Sequence, residues 1–123
     1  GIAIERQLVV RTETPLWAME QALGSGACDA ALAWPRRAQV RSIRRLQLAT
    51  ERGRTLGFLF RELTSARESS PAGLRLMFEP QPRGARLTFL KSRGGARGVL
   101  DLCWGSPTSA ALTSAELTRG AQV

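Results

Sequence analysis

The sequence predicts an α/β fold in which parallel strands joined by crossover helices are followed by an antiparallel hairpin extension. Three observations carry this. Residues 29–34 and 55–60 are short runs that are apolar nearly throughout, as strands covered on both faces tend to be. Between them, residues 37–52 carry a helical pattern, and a parallel pair needs a crossover of about a dozen residues or more, usually a helix. Farther on, residues 74–78 and 85–90 flank a turn rich in proline and glycine, which reads as a hairpin.

Length and composition bound the rest. At 123 residues the chain fits one domain, and 43% hydrophobic with 23% charged residues is globular rather than disordered. No apolar run approaches the ~18 residues of a membrane span and no signal peptide is visible, so a cytoplasmic protein without a membrane partner is expected. The chain opens Gly1-Ile2-Ala3-Ile4 without an initiator methionine, as a piece of a longer protein would. Cys28 and Cys103 lie far apart; reduced, they would be buried as small hydrophobes, and a single disulfide stays open.

There is no histidine and no tyrosine. That excludes Ser-His-Asp and Cys-His catalysis and ordinary zinc sites, which need an imidazole or more thiols. No phosphate loop of the G-x-x-x-x-G-K-[ST] kind is present, and Glu62 and Glu79 have no carboxylate partner in sequence for acid/base work. The residues therefore point to a non-enzyme with no cofactor. Net charge is +8, and of 18 basic residues only Lys91 is a lysine, which favours acidic partners.

Taken in order, residues 5–11 read as a first strand centred on Leu8, Val9 and Val10. Thr14 is placed to cap a helix and Pro15 suits its first turn. Leu16, Met19 and Leu23 share one face, and Gly24 and Gly26 stop the helix. Met19 and Trp17 read as packing residues. Residues 29–34 form the second strand, closed by Pro35, and the next helix runs over 37–52 with Gly53 as its stop. Residues 55–60 form the third strand. Residues 61–73 are polar and read as a mobile loop. Arg75 and Arg86 take outward positions on the hairpin, residues 92–98 are a flexible basic turn, and residues 99–104 form a last strand. Residues 105–123 form a loosely ordered tail, within which 110–117 suits a short helix.

The arginines are the candidate site. Val40, Ile43, Leu46 and Gln47 share one side of the second helix, while Arg37, Arg41, Arg44, Arg45 and Arg52 share the other, interrupted by Leu48. Residues 36–54 hold seven arginines and one acid, Glu51, giving +6 of the +8. Arg93 and Arg97 add a second basic group around Gly94 and Gly95. Two readings stand side by side: a solvated outer helix face, or a surface for phosphates or an acidic partner.

Several stretches together resemble a known family. Residues 1–10 and 16–34 are similar to the second half of a RecA-type core. With Arg44-Arg45-Leu46-Gln47-Leu48-Ala49, Leu56-Gly57-Phe58-Leu59-Phe60-Arg61, residues 70–76 and Leu90-Lys91-Ser92-Arg93-Gly94-Gly95, the chain resembles the bacterial ImuA proteins of the damage-inducible mutagenesis cassette. The SulA cell-division inhibitors share the third-strand pattern and are the nearest competing family.

This resemblance covers residues 1–104 and implies a partial RecA-like α/β domain there. It implies an accessory protein in SOS-induced translesion DNA synthesis, binding a Y-family-polymerase-like partner of the ImuB type, with a RecA filament or DNA as further partners. The departures bear on enzyme chemistry. RecA-type ATPases end the second strand in an acid that helps to hold magnesium, but Trp34 and Pro35 stand here, and neither binds a hard cation. The long DNA-binding loop after the third strand shrinks to about residues 63–72. A scaffold without its enzyme is expected, and an open sheet edge would favour self-association. Other functions weighed are a sequence-independent DNA-binding module, a SulA-like inhibitor and a residual ATPase.

Overall fold

A computed structural model of the chain describes residues 3–104. The chain divides into two compact units, Gly1–Pro71 and Ala72–Val123. The expected tail and its short helix at 110–117 lie outside the described residues. The fold is mixed α/β, with a two-stranded parallel sheet in the first unit and a three-stranded antiparallel sheet in the second.

In the first unit, helix α1 (Pro15–Ser25) leads to strand β1 (Ala30–Ala33), helix α2 (Val40–Gly53) and strand β2 (Leu56–Leu59). The strands run parallel, with Ala30 opposite Leu56 and Ala33 opposite Leu59, as the crossover pattern requires. Met19 and Leu23, one helical turn apart on α1, meet Leu46 and Ala49 of α2 and Ala33 of β1, with Leu16, Ala31 and Leu59 packed at the margin. The core-facing periodicity read from the sequence is therefore the one observed, although Val40 is exposed rather than buried.

Several details differ from the sequence reading. The first strand expected over 5–11 does not form: a 3-10 turn at Ile4–Arg6 is followed by extended chain in which Leu8, Val9 and Val10 are 89%, 80% and 59% exposed. An apolar run becomes a strand only by pairing its N–H and C=O groups, and the parallel sheet described holds β1 and β2 alone. So the expected three parallel strands are two. Nor is the hairpin an extension of that sheet's edge: it joins the last strand in a separate sheet. Thr14 makes no side-chain cap; instead its backbone N–H donates to Thr12 Oγ1 at 3.1 Å. Helix α2 starts at Val40 instead of 37, because Ala38 is buried and Gln39 is extended (φ −72°, ψ 152°), which leaves Arg37 ahead of the helix.

The stop of α2 also shifts by one residue. Arg54, not Gly53, takes the left-handed conformation (φ 54°), and its N–H caps the Thr50 carbonyl. Gly53 answers a different demand: a Cβ there would run into the Leu23 carbonyl of α1, so only glycine permits the two helices to approach this closely. The 61–73 segment has local structure, namely a 3-10 turn at Leu63–Arg67 and an ion pair from Arg61 to Glu68 at 2.7 Å.

The second unit contains strands β3 (Leu74–Gln81), β4 (Gly84–Ser92) and β5 (Val99–Cys103) in the order β3-β4-β5. Pro82 and Arg83 make the turn between β3 and β4, with Gln81 opposite Gly84. Pro80 sits in the edge strand β3, where a missing N–H is tolerated. Pairing places Leu76 and Phe78 beside Phe89 and Leu87, and Leu87 beside Leu100, so one face is apolar. Glu79, Arg86 and Asp101 stand opposite one another on the other face. Arg86 is exposed there as expected, whereas Arg75 is half-buried.

The Arg86–Asp101 pair is two-pronged, with Nε to Oδ1 at 2.8 Å and Nη2 to Oδ2 at 3.1 Å. Its hydrogen bonds, aided by the guanidinium charge, hold the Asp101 carboxyl below its ordinary range. A carboxyl lowered in the folded state contributes stability above its unfolded pKa, and that contribution is lost as pH falls through the folded value. The Asp101 carboxyl carbon should therefore titrate at a lower midpoint than an unpaired aspartate when followed by NMR. Arg86→Gln should return it to the ordinary range, and a midpoint that the substitution does not move would refute the pairing.

Both cysteines are free thiols. Cys28 is half-buried, its Sγ 3.6 Å from the Ala22 carbonyl oxygen, while Cys103 is exposed rather than buried as expected.

Candidate interaction surface

The α2 arginines are not equivalent. Arg41, Arg44, Arg45 and Arg52 are all exposed on the helix, and exposed Leu48 interrupts them as its phase requires. Arg45 is engaged: it grips Glu20 of α1, with Nη2 to Oε2 at 2.8 Å and Nε to Oε1 at 3.2 Å. That pair staples the two helices at the surface, where an ion pair contributes about 0–1 kcal/mol. The Arg52 guanidinium lies against Gly24 of α1, in space that a Cβ would fill. Arg37, Arg41 and Arg44 make no ion pair among the described residues, so the charge available to a partner is concentrated at the start of α2.

Next to that start lies a cleft of about 520 Å³ between the N-terminal end of α1 and the carboxyl end of β1. Thr12, Thr14 and Trp17 line one side, and Trp34, Arg36 and Arg37 the other. The carboxyl ends of parallel strands are where open α/β sheets offer a crevice to ligands. Trp34 stacks on Phe60, with ring centroids 4.8 Å apart and planes within 8° of parallel. The stack forms because β1 and β2 run in parallel register and both chains carry an aromatic just past the ladder, where Phe60 N–H donates to the Ala33 carbonyl at 2.9 Å. Trp17 corrects the sequence reading: it is exposed on α1 and lines this cleft, while Met19 is buried as expected. Its position beside, rather than within, the Leu16, Met19 and Leu23 stripe was the available signal.

Arg93 and Arg97 belong to the second unit, on the β4–β5 connection. The Arg93 N–H donates to the Gly73 carbonyl at 3.0 Å, and its aliphatic stem runs along Gly73. Arg97 is exposed and, with Phe89, Lys91, Ser92 and Gly95, borders a cavity of about 430 Å³. Gly95 and Gly98 have positive φ, 76° and 110°, so the turn depends on them.

Among the described residues no three His, Cys, Asp or Glu side chains gather as a metal site, and no helix is long and apolar enough to cross a membrane. No protein family, curated protein or solved structure matches the chain.

Proposed function

We propose that the chain is a non-catalytic accessory protein of damage-induced translesion DNA synthesis, with the start of α2 as its contact surface for a Y-family-polymerase-like partner of the ImuB type. The observation that carries this reading is the group of Arg41 and Arg44 on a helix whose opposite side is anchored in the core, with Arg37 just ahead of it, none of the three in an ion pair among the described residues. Planar guanidinium forks suit carboxylates and phosphates alike and stay charged when water is removed. The end of β1 favours the non-catalytic side: a magnesium-holding acid would stand where Trp34 is stacked on Phe60. The partial RecA-like core belongs to the same proposal and is supported by the parallel β1-α2-β2 unit.

Replacing Arg37, Arg41 and Arg44 together by Gln tests the surface. Helix propensity hardly changes and no buried side chain is touched, so the fold should persist. Binding to the polymerase-like partner, measured by calorimetry, should weaken by ~1–2 kcal/mol for three exposed charges. Unchanged affinity in a folded triple variant would refute the reading. A second reading, a sequence-independent DNA-binding module, is favoured by the same unpaired arginines. It predicts that affinity for DNA falls steeply with salt, whereas a protein partner would show a milder effect on the association rate.

The parallel pair is open at both edges among the described residues. Unpaired edges recruit other chains, so self-association belongs to the proposal. Sedimentation should show a weight-average mass that rises with concentration; a monomer throughout the range would contradict it.

A further inference from the structure

We infer that the cleft between α1 and the end of β1 takes an unpaired base of single-stranded nucleic acid, stacked on Trp34, with the neighbouring phosphate met by Arg36 and Arg37. The argument starts from the indole. One face of Trp34 is covered by Phe60 in a near-parallel stack, which fixes the plane of the ring. The side chain nevertheless remains 67% exposed, and it borders the cleft. A ring held flat on one side and open on the other is a prepared platform, since a base can add to the stack without ordering the protein first.

The charges beside it fit the same ligand. Arg36 and Arg37 are exposed, make no ion pair among the described residues, and follow Trp34 and Pro35 directly. Glu13 also lines the cleft, so two cations face one anion there. On the opposite wall α1 begins without a side-chain cap. The Leu16 and Trp17 backbone N–H groups of its first turn are thus available to an anion, in the manner of helix N-termini that hold phosphate. Exposed Trp17 supplies a second aromatic surface. Aromatic faces interleaved with arginines bind single strands with little sequence preference, because every base has a π-face. A duplex, whose bases are already stacked, has no base to offer Trp34.

Arg37 is shared with the α2 triple, but the variants used here change only Trp34 and Arg36, so the site fails or stands separately from the polymerase-contact reading. The test uses the whole 123-residue chain and a dye-labelled oligothymidylate followed by anisotropy, beside an abasic strand of equal length and a duplex. Oligothymidylate should bind more tightly than either of the others. Trp34→Leu, which keeps apolar bulk but removes the π-face, should weaken oligothymidylate roughly tenfold or more and leave the abasic strand unchanged. Arg36→Gln should weaken both strands and flatten their salt dependence. Trp34→Ala repeats the first comparison with a smaller side chain. Equal binding of thymidylate and abasic strands, no binding of either, or an unaltered oligothymidylate affinity in folded Trp34→Leu would each overturn the inference. A cleft that serves a peptide instead would give one of these outcomes.

Discussion

Leu23→Ala is expected to unfold the first unit. Leu23 is 0% exposed and is the largest side chain fully buried among the described residues. It sits where α1, α2 and β2 converge, in one cluster with Met19, Leu46 and Ala49, and its methyl lies 3.4 Å from where a Cβ on Gly57 would be. Truncation removes the transfer free energy of the lost methyl groups and leaves a cavity that two helices tied together at Gly53 cannot close. Such changes cost about 2–5 kcal/mol. A unit of this size holds only ~3–10 kcal/mol in total, at roughly 0.05–0.15 kcal/mol per residue. Thermal melting followed by circular dichroism should show the helical signal lost well below the wild-type transition, or absent at room temperature. A transition displaced by less than ~1 kcal/mol would mean that the cluster is not the core of the unit.

Gly84→Ala should do comparable damage to the second unit by the opposite route, adding an atom where there is no room. A Cβ at Gly84 would meet the Leu102 carbonyl and the Cys103 Cα of the neighbouring strand, all of it backbone. A side chain in the way could rotate aside, but a strand can yield only by parting from its partner. Overpacking of this kind costs about 1–3 kcal/mol and more when the backbone must move. The amides of Leu102 and Cys103 should then exchange with solvent far faster than in the wild type. Gly94→Ala is the matched control: its Cβ would have only Ser92 Oγ nearby, at 3.7 Å, and exchange should be unaffected. Equal protection in all three proteins would show that the β4–β5 ladder tolerates the added methyl.

Where a residue's role follows from its own neighbourhood in the chain, the sequence was readable. The parallel crossover, the Met19 and Leu23 face, the buried side of α2 and the β3–β4 hairpin follow from periodicity and turn chemistry. Features that depend on a partner far away in sequence were not. Residues 7–11 have the composition of a strand but join neither of the sheets described. Gly53 looks like a helix stop, yet its glycine is required by the Leu23 carbonyl, and the left-handed role falls on Arg54. The arginine stripe was visible as a pattern; that Arg45 is committed to Glu20 depends on how α1 crosses α2. The Trp34–Phe60 stack needs the strand register, which fixes which residues past the ladder stand side by side.

The placement of the indoles also decides how this protein can be watched. Trp17, Trp34 and Trp104 are 60%, 67% and 60% exposed, and they are all the tryptophans of a chain that has no tyrosine. Indoles this exposed are expected to emit much as indole does in water while the protein is native, so denaturation should move the emission maximum little. An emission-based denaturant curve would show almost no transition and would suggest a chain that never folded. The loss of Leu23 packing or of the Gly84 approach is read instead from signals that the backbone itself generates.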